Sequence, residues 1–308
     1  MSVKYFSLGG LILDDVVFPD GSTAMGILGG SGAYAVAGMR LWSAQVGLFA
    51  RVGPDFELDL LSQLGLAQHA VQTNELPTPR AWQLYEEDGT RTQVSRISED
   101  DWWAQLIPTP DDLPPLEGVQ GVHMPLRGRD VEPEVVGILA EAGVKLCLEP
   151  IIHEKTSDRQ RKIILDCLHF AEIFSPGLAD SRLLLGERPV PELLIMFAEM
   201  GPRLVALRRG AEGSLVYDRV TDCYWQVPAA PAKVVDVTGG GNAYCGGFLV
   251  GWLDQGDIKR AAAQAAVSAA ITLEQIGPPT ISPERVDQAN ERLAGSVAEV
   301  HEIMGQML

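Results

Sequence analysis

Val234-Val235-Asp236-Val237-Thr238-Gly239-Gly240-Gly241-Asn242-Ala243-Tyr244-Cys245-Gly246-Gly247 is the stretch on which the reading of this sequence turns. A strand-like apolar approach runs into three glycines, and small residues then continue as a helix. Three glycines permit a backbone that no bulkier residue adopts, so successive N–H groups can converge on one concavity at a helix N-terminus. Such a concavity suits a phosphate, or the charge that grows on a phosphoryl group during transfer. The glycines by themselves also fit a turn that merely opens a helix, so the rest of the chain has to decide.

Outward from this stretch, 32 glycines and 20 prolines punctuate the 308 residues. Short apolar runs alternate with longer amphipathic stretches, the pattern of an α/β fold built on a largely parallel sheet. Strands are expected over Tyr5 to Leu13, Gln45 to Ala50, Gly121 to Met124, Lys145 to Leu148, Glu172 to Phe174, Leu204 to Leu207 and Ser214 to Tyr217. Helices are expected over Gly32 to Leu41, Asp55 to Leu64, Glu132 to Ala142, Thr156 to Phe170, Pro191 to Met200, Asn242 to Trp252 and Ile258 to Gln275. One segment breaks this rhythm. Arg80 to Ile97 alternates around Asp88-Gly89, a pair suited to a tight hairpin turn. With Val16 to Met25 it predicts a small sheet, over about residues 14–26 and 78–100, placed to act as a lid on a cleft. No internal repeat or linker interrupts the chain, and residues 1–308 read as one unit with a lid.

Composition removes several classes of function. With 24 basic and 41 acidic residues the formal charge is −17, which opposes a broad grip on nucleic acid or anionic lipid. A small anionic ligand needs only local donors and is still allowed. Cys147, Cys167, Cys223 and Cys245 lie far apart, so neither a disulfide framework nor a zinc cluster is indicated, and a reducing cytoplasm is the expected location. No apolar run reaches the roughly 20 residues that span a bilayer. The five histidines, His69, His123, His153, His169 and His301, have no metal-ligand spacing. His123 closes a predicted strand whose end faces the cleft, which makes it a candidate substrate contact. Trp102-Trp103 reads as packing, and the loose G-x-G-x-x-A at Gly30 to Ala35 does not follow the first strand as a dinucleotide fingerprint requires.

The glycine-rich stretch resembles the C-terminal signature of the ribokinase/PfkB family of sugar and nucleoside kinases, usually D-T-x-G-A-G-D. Gly29-Gly30-Ser31-Gly32-Ala33-Tyr34 resembles the family's G-G-x-G-A-N, Val52-Gly53-Pro54-Asp55 its V-G-x-D, and Gly210-Ala211-Glu212-Gly213 its G-x-x-G nucleotide loop. Gly9 to Asp14 resembles the family's first strand, whose aspartate binds substrate hydroxyls. The resemblance implies a ribokinase-like three-layer αβα fold with a β lid, and ATP and Mg²⁺ as cofactors. The implied reaction is transfer of the γ-phosphoryl group to a hydroxyl of a sugar-like small molecule. On the same basis Gly239, Gly240 and Gly241 form the anion hole. Asp14, Gly30, Ser31 and Tyr34 meet the acceptor, Arg208, Gly210, Gly213 and Gly241 meet the nucleotide, and Asp180 and Glu149 support the metal. Asp236 resembles a residue that the family uses around a monovalent-cation site. The alanine-rich helix Ala261 to Ala270 resembles the wall of an adenine pocket. Some family members dimerise through lid strands, so the protein is expected as a monomer or homodimer.

The departures from the family pattern are concentrated at the same places. Asn242 stands where the family has its catalytic aspartate, and a neutral amide holds a hydroxyl without accepting its proton. Loss of a general base costs typically about 10²- to 10⁴-fold. Asp236 and Asp15 are nearby alternatives in sequence. Tyr34 replaces a substrate-binding Asn, and Gly177-Leu178-Ala179-Asp180 keeps only the acid of the family's N-x-x-E. Arg208-Arg209 replaces a threonine-bearing approach, and strand alternation sends at most one of the two into the cleft. Three readings follow: a carbohydrate kinase, a nucleoside kinase, or a catalytically silent homologue that binds nucleotide or sugar.

Overall fold

The computed structural model of the chain describes residues 2–87 and 90–303. Its strands in chain order are β1 (Tyr5–Ser7), β2 (Ile12–Val17), β3 (Thr23–Gly29), β4 (Val46–Val52), β5 (Gln68–Thr73), β6 (Arg80–Tyr85), β7 (Arg91–Ser95), β8 (Gly121–Leu126), β9 (Lys145–Pro150), β10 (Ala171–Phe174), β11 (Leu204–Arg208), β12 (Ser214–Asp218), β13 (Cys223–Val227) and β14 (His301–Ile303). Ten of them form one sheet in the order β14-β13-β12-β11-β10-β9-β8-β1-β4-β5. From β5 to β11 every pairing is parallel, and β12 to β14 extend the sheet antiparallel. The other four form a small sheet in the order β3-β2-β6-β7. The architecture is an α/β fold with a mostly parallel central sheet and a small β-sheet beside it, as expected.

The central sheet is buried on both faces, which is why its strands read as continuous apolar runs. Strand alternation divides one run between two cores: Leu204 and Ala206 face one side and Val205 and Leu207 the other. The first core is covered by α1 (Ser31–Arg40) and by a helical pair, Gly240–Gln255 and Ile258–Leu273. The second is covered by Glu132–Glu141, Asp158–Asp166 and Val190–Glu199. Close approach of α1 to Gly240–Gln255 demands two glycines: a Cβ on Gly38 would strike the carbonyl of Ala243, and one on Gly246 that of Ala35.

Several expected elements are corrected. The run Tyr5 to Leu13 is two strands in two different sheets, because the backbone at Gly9 lies against that of Gly32 and turns the chain out of the central sheet. Asp55 to Leu64 is a 3₁₀ turn over Leu58–Leu64. The helix expected from Thr156 starts at Asp158, where Ser157 and Gln160 form a capping box, and its α-helical part ends at Asp166. The approach Val234 to Thr238 is not a strand; Val234, Val235 and Val237 are exposed coil. The sequence reading left β5, β13, β14 and the helices Glu99–Leu106, Leu178–Leu185 and Pro283–Glu299 unassigned.

The small sheet contains the expected antiparallel pair, β6 with β7, while its Asp88-Gly89 turn lies outside the described residues. β2 pairs with β3 antiparallel and with β6 parallel. Ala81, Trp102 and Leu106 close a separate apolar cluster under this sheet. Among the described residues no helix is long and apolar enough to cross a membrane, and all four cysteines are free thiols.

Candidate active site

Two cavities open at the C-terminal ends of the parallel strands, where α/β sheets place ligands. One, of about 950 Å³, lies under the small sheet and is lined by Asp14, Gly30, Ser31, Tyr34 and Asn242 together with Arg127, Trp102 and Trp103. The other, of about 940 Å³, is lined by Gly210, Gly213, Gly240 and Gly241 and by Ala266, Ala269 and Ala270 of the alanine-rich helix. Both are lined by Asp180 and Arg208, and they meet at the turn Gly239 to Asn242. The sequence-predicted acceptor and nucleotide residues therefore sort into two adjoining spaces.

The glycines at the junction are required by what they touch. Gly239 has φ +78°, and a Cβ there would enter the ring of Tyr34. Tyr34 is 3% exposed and supports the turn from below, while still lining the first cavity. Helix Gly240–Gln255 then starts with no side-chain cap, so its first N–H groups are free to meet an anion. A Cβ on Gly241 would strike Arg208 Nη1, so the guanidinium lies against the N-terminus of this helix.

Arg208 is part of a buried network that sequence reasoning did not foresee. Its Nη1 donates to Glu149 Oε1 at 2.7 Å and its Nη2 to the carbonyl of Ser175 at 2.9 Å. Asn242 Nδ2 donates to Glu149 Oε2 at 2.8 Å, and His123 Nε2 contacts the same oxygen at 2.9 Å. Burial alone would push the Glu149 carboxyl up, but Arg208, His123 and Asn242 bring it down to about 2. Burial likewise works against the His123 cation, yet Cys245 and Glu149 raise its value to about 9. His123 is fully buried, bonded also to Ser7 Oγ at 3.0 Å, and lines neither cavity, which removes it as a substrate contact.

His123, Glu149 and Cys245 have ligand atoms within 4.8 Å of one another, but both Glu149 oxygens already serve Arg208, His123 and Asn242. Glu149 is the counter-ion of Arg208 in this network. Asp180 is placed differently. It accepts from the Gly177 N–H at 3.1 Å, lines both cavities, and is pushed up to about 6, mainly by burial. One carboxylate beside a phosphate site fits Mg²⁺, which takes one or two carboxylates and completes its shell with phosphate oxygens and water.

The remaining predicted residues divide between cavity and scaffold. Asp14 is buried, accepts from Gln83 Nε2 at 2.6 Å, and is raised to about 6, chiefly by burial. Asp15 points the other way and pairs with Arg80 and Arg96, so it is no candidate base. Asp236 accepts from Tyr85 Oη at 2.5 Å and from the Thr238 N–H at 2.7 Å, and Arg91 Nη1 donates to Thr238 Oγ1 at 2.9 Å. Tyr85 and Arg91 come from β6 and β7, so the small sheet clasps the loop that leads into helix Gly240–Gln255. Arg209 reaches the second cavity as well as Glu212, so both members of the arginine pair touch a cavity, against the expectation of one. Trp102 and Trp103 line the first cavity, a position their acidic neighbours concealed in the sequence.

Residues 21–285 match the pfkB family of carbohydrate kinases. The chain belongs to that family. A cytidine kinase of Thermococcus kodakarensis is 27% identical over 247 residues, covering 80% of this chain and 87% of its own. An ATP-dependent ribose-1-phosphate kinase of Halopiger xanaduensis is 25% identical over 255 residues, covering 81% of each. Among solved structures, a ribokinase of Arabidopsis thaliana complexed with ribose and ATP superimposes with a TM-score of 0.73 at 18% identity, covering 95% of this chain and 99% of its own. That last likeness establishes the fold alone; the family assignment of the pfkB chain rests on the 21–285 match.

Proposed function

We propose that this pfkB protein transfers the γ-phosphoryl group of ATP to a hydroxyl of a sugar or sugar-like molecule. The observation that carries the reading is the junction at Gly239 to Asn242, where two cavities share Arg208 and Asp180. ATP would lie along Gly210, Gly213 and Ala266 to Ala270, with its terminal phosphate at the N-terminus of helix Gly240–Gln255. The acceptor would lie between Asp14, Gly30, Ser31 and Tyr34. Mg²⁺, when bound at Asp180, supplies charge neutralisation on the phosphates.

The acceptor oxygen forms a bond to the γ-phosphorus as the bond to the β–γ bridging oxygen breaks, and the hydroxyl proton has to leave. Asn242 cannot take it. Its side-chain carbonyl would orient the hydroxyl, and Glu149, which accepts from Asn242 Nδ2 at 2.8 Å, would take the proton once its own cation is drawn away. Arg208 now neutralises Glu149, and a phosphate at the anion hole competes for the same guanidinium. Once Arg208 turns to phosphate, Glu149 loses its principal cation and becomes more basic. The small sheet, held down by Tyr85 on Asp236, excludes water from the transfer.

A second reading, a silent homologue that binds nucleotide without turnover, is motivated by Asn242. Mg-ATP turnover measured on the native chain against a panel of sugars and nucleosides separates the two. ADP release that depends on an acceptor supports transfer. Magnesium-dependent ATP binding with no turnover by the native chain, and turnover by Asn242→Asp, supports the silent reading. The cytidine and ribose-1-phosphate kinases among the relatives make both nucleosides and sugars proper members of the panel.

A further inference from the structure

Arg127 is a buried charged wall of the acceptor cavity with no counter-ion in salt-bridge distance among the described residues. It follows β8 at the C-terminal edge of the sheet, is 7% exposed, and lines the acceptor cavity but not the nucleotide cavity. Its guanidinium makes a single side-chain hydrogen bond among the described residues, a long 3.5 Å approach of Nη2 to Ser31 Oγ. Nη1 is enclosed with no partner.

The two acids that influence it are engaged elsewhere. Glu132 accepts the backbone N–H groups of Arg127, Gly128 and Arg129, and Glu149 is held by Arg208, His123 and Asn242. No salt bridge to Arg127 forms within 4.0 Å among the described residues. A buried cation without a counter-ion is costly to the fold, and an apolar side chain of similar volume would be more stable there. Beside it, α1 begins at Gly30 with no side-chain cap, so N–H groups of its first turn add to the positive potential.

We infer that the acceptor is itself an anion, a sugar-like molecule carrying a phosphate ester or a carboxylate, and that Arg127 with Ser31 receives that group. The inference deepens the kinase reading given above and rests on it for the word acceptor. A planar guanidinium meets two oxygens of such a group at once, which a neutral sugar cannot reproduce. Arg127 then selects acceptors by charge while Asp14 holds hydroxyls, and Arg208, which lines both cavities, is left for the transferred phosphoryl group.

Binding without nucleotide tests this directly, so a failure of phosphoryl transfer does not decide it. Ribose 5-phosphate, glucose 6-phosphate and glucuronate are compared with ribose and glucose by calorimetry and thermal shift, at up to about 10 mM, since a ligand of the native state raises its melting temperature. The expected result is binding by at least one anionic member, at least about 30-fold tighter than its neutral parent, the scale of a lost charge-assisted contact. Arg127→Met is expected to abolish that preference while melting no lower than the native chain without ligand, and Arg127→Lys to restore part of it. A structural role for Arg127 predicts the opposite, a lower melting temperature in the methionine variant. Stabilisation by neutral sugars only, or by no anionic member of the panel, overturns the inference. So does an equal loss of Mg-AMP-PNP affinity in Arg127→Met, which would assign the arginine to the phosphoryl donor. If neither variant folds, the native chain's preference between each anion and its parent decides.

Discussion

Replacing Glu149 by Gln removes one charge from the junction of the two cavities and almost no volume. The Glu149 carboxyl, despite burial, is held at about 2 against an ordinary 4.5 by Arg208, His123 and Asn242. A depression of that size corresponds to about 3 kcal/mol of stability carried by the ionised form. Because the folded value lies below the unfolded one, this stabilisation is complete well above pH 4.5 and is lost as pH falls through about 2. The native chain is therefore expected to exceed Glu149→Gln by about 3 kcal/mol at pH 7, in line with the cost of breaking a buried ion pair, and by roughly half of that at pH 3. His123 works in the other direction. Its folded value, raised to about 9, gives stability that is present below about pH 6.5 and lost as pH rises through about 9. Part of that share depends on Glu149, so between pH 7 and 9 the native chain loses more stability than the variant. Urea denaturation at pH 3, 5, 7 and 9 reads all of these differences. A gap under about 0.5 kcal/mol at pH 7, or one that does not move with pH, refutes the network as described. In the same variant kcat is expected to fall by about 10²-fold or more. Undiminished turnover would remove Glu149 as proton acceptor and leave it a structural counter-ion.

Gly241→Ala places a methyl group on Arg208 Nη1 and is expected to reduce kcat by at least about 10²-fold, with an unchanged circular dichroism spectrum. Full activity there would place phosphate binding elsewhere. Tyr85→Phe removes the bonds from β6 to Asp236 and Thr238, so KM for the acceptor is expected to rise several-fold while Mg-ATP affinity measured without acceptor stays constant. Equal effects on both ligands would count against a lid. The small sheet leaves β3 and β7 as edge strands, and pairing between two copies would give a dimer mass by light scattering at micromolar concentration. A monomer mass would dispose of that pairing.

Much of this protein is decided by short-range patterns in its sequence. Alternation in Leu204 to Leu207 and the glycines at 239 to 241 act through neighbouring residues, so each is legible within a few positions. The two glycine motifs and Asn242 likewise point to a phosphoryl-transfer site with an altered base. The site's electrostatics were not legible in that way. Glu149 meets Arg208, His123 and Asn242 across 59, 26 and 93 residues of sequence, and nothing local marks β9, β11, β8 and helix Gly240–Gln255 as the suppliers of one buried network. The same holds for the change of sheet at Gly9, which depends on the backbone of Gly32, and for Tyr34, whose ring lies against Gly239. Period and turn chemistry are properties of adjacent residues and survive in the sequence. The protonation of a buried acid or the counter-ion of a buried arginine depends on which distant side chains displace water around it, and only the packed tertiary structure determines that.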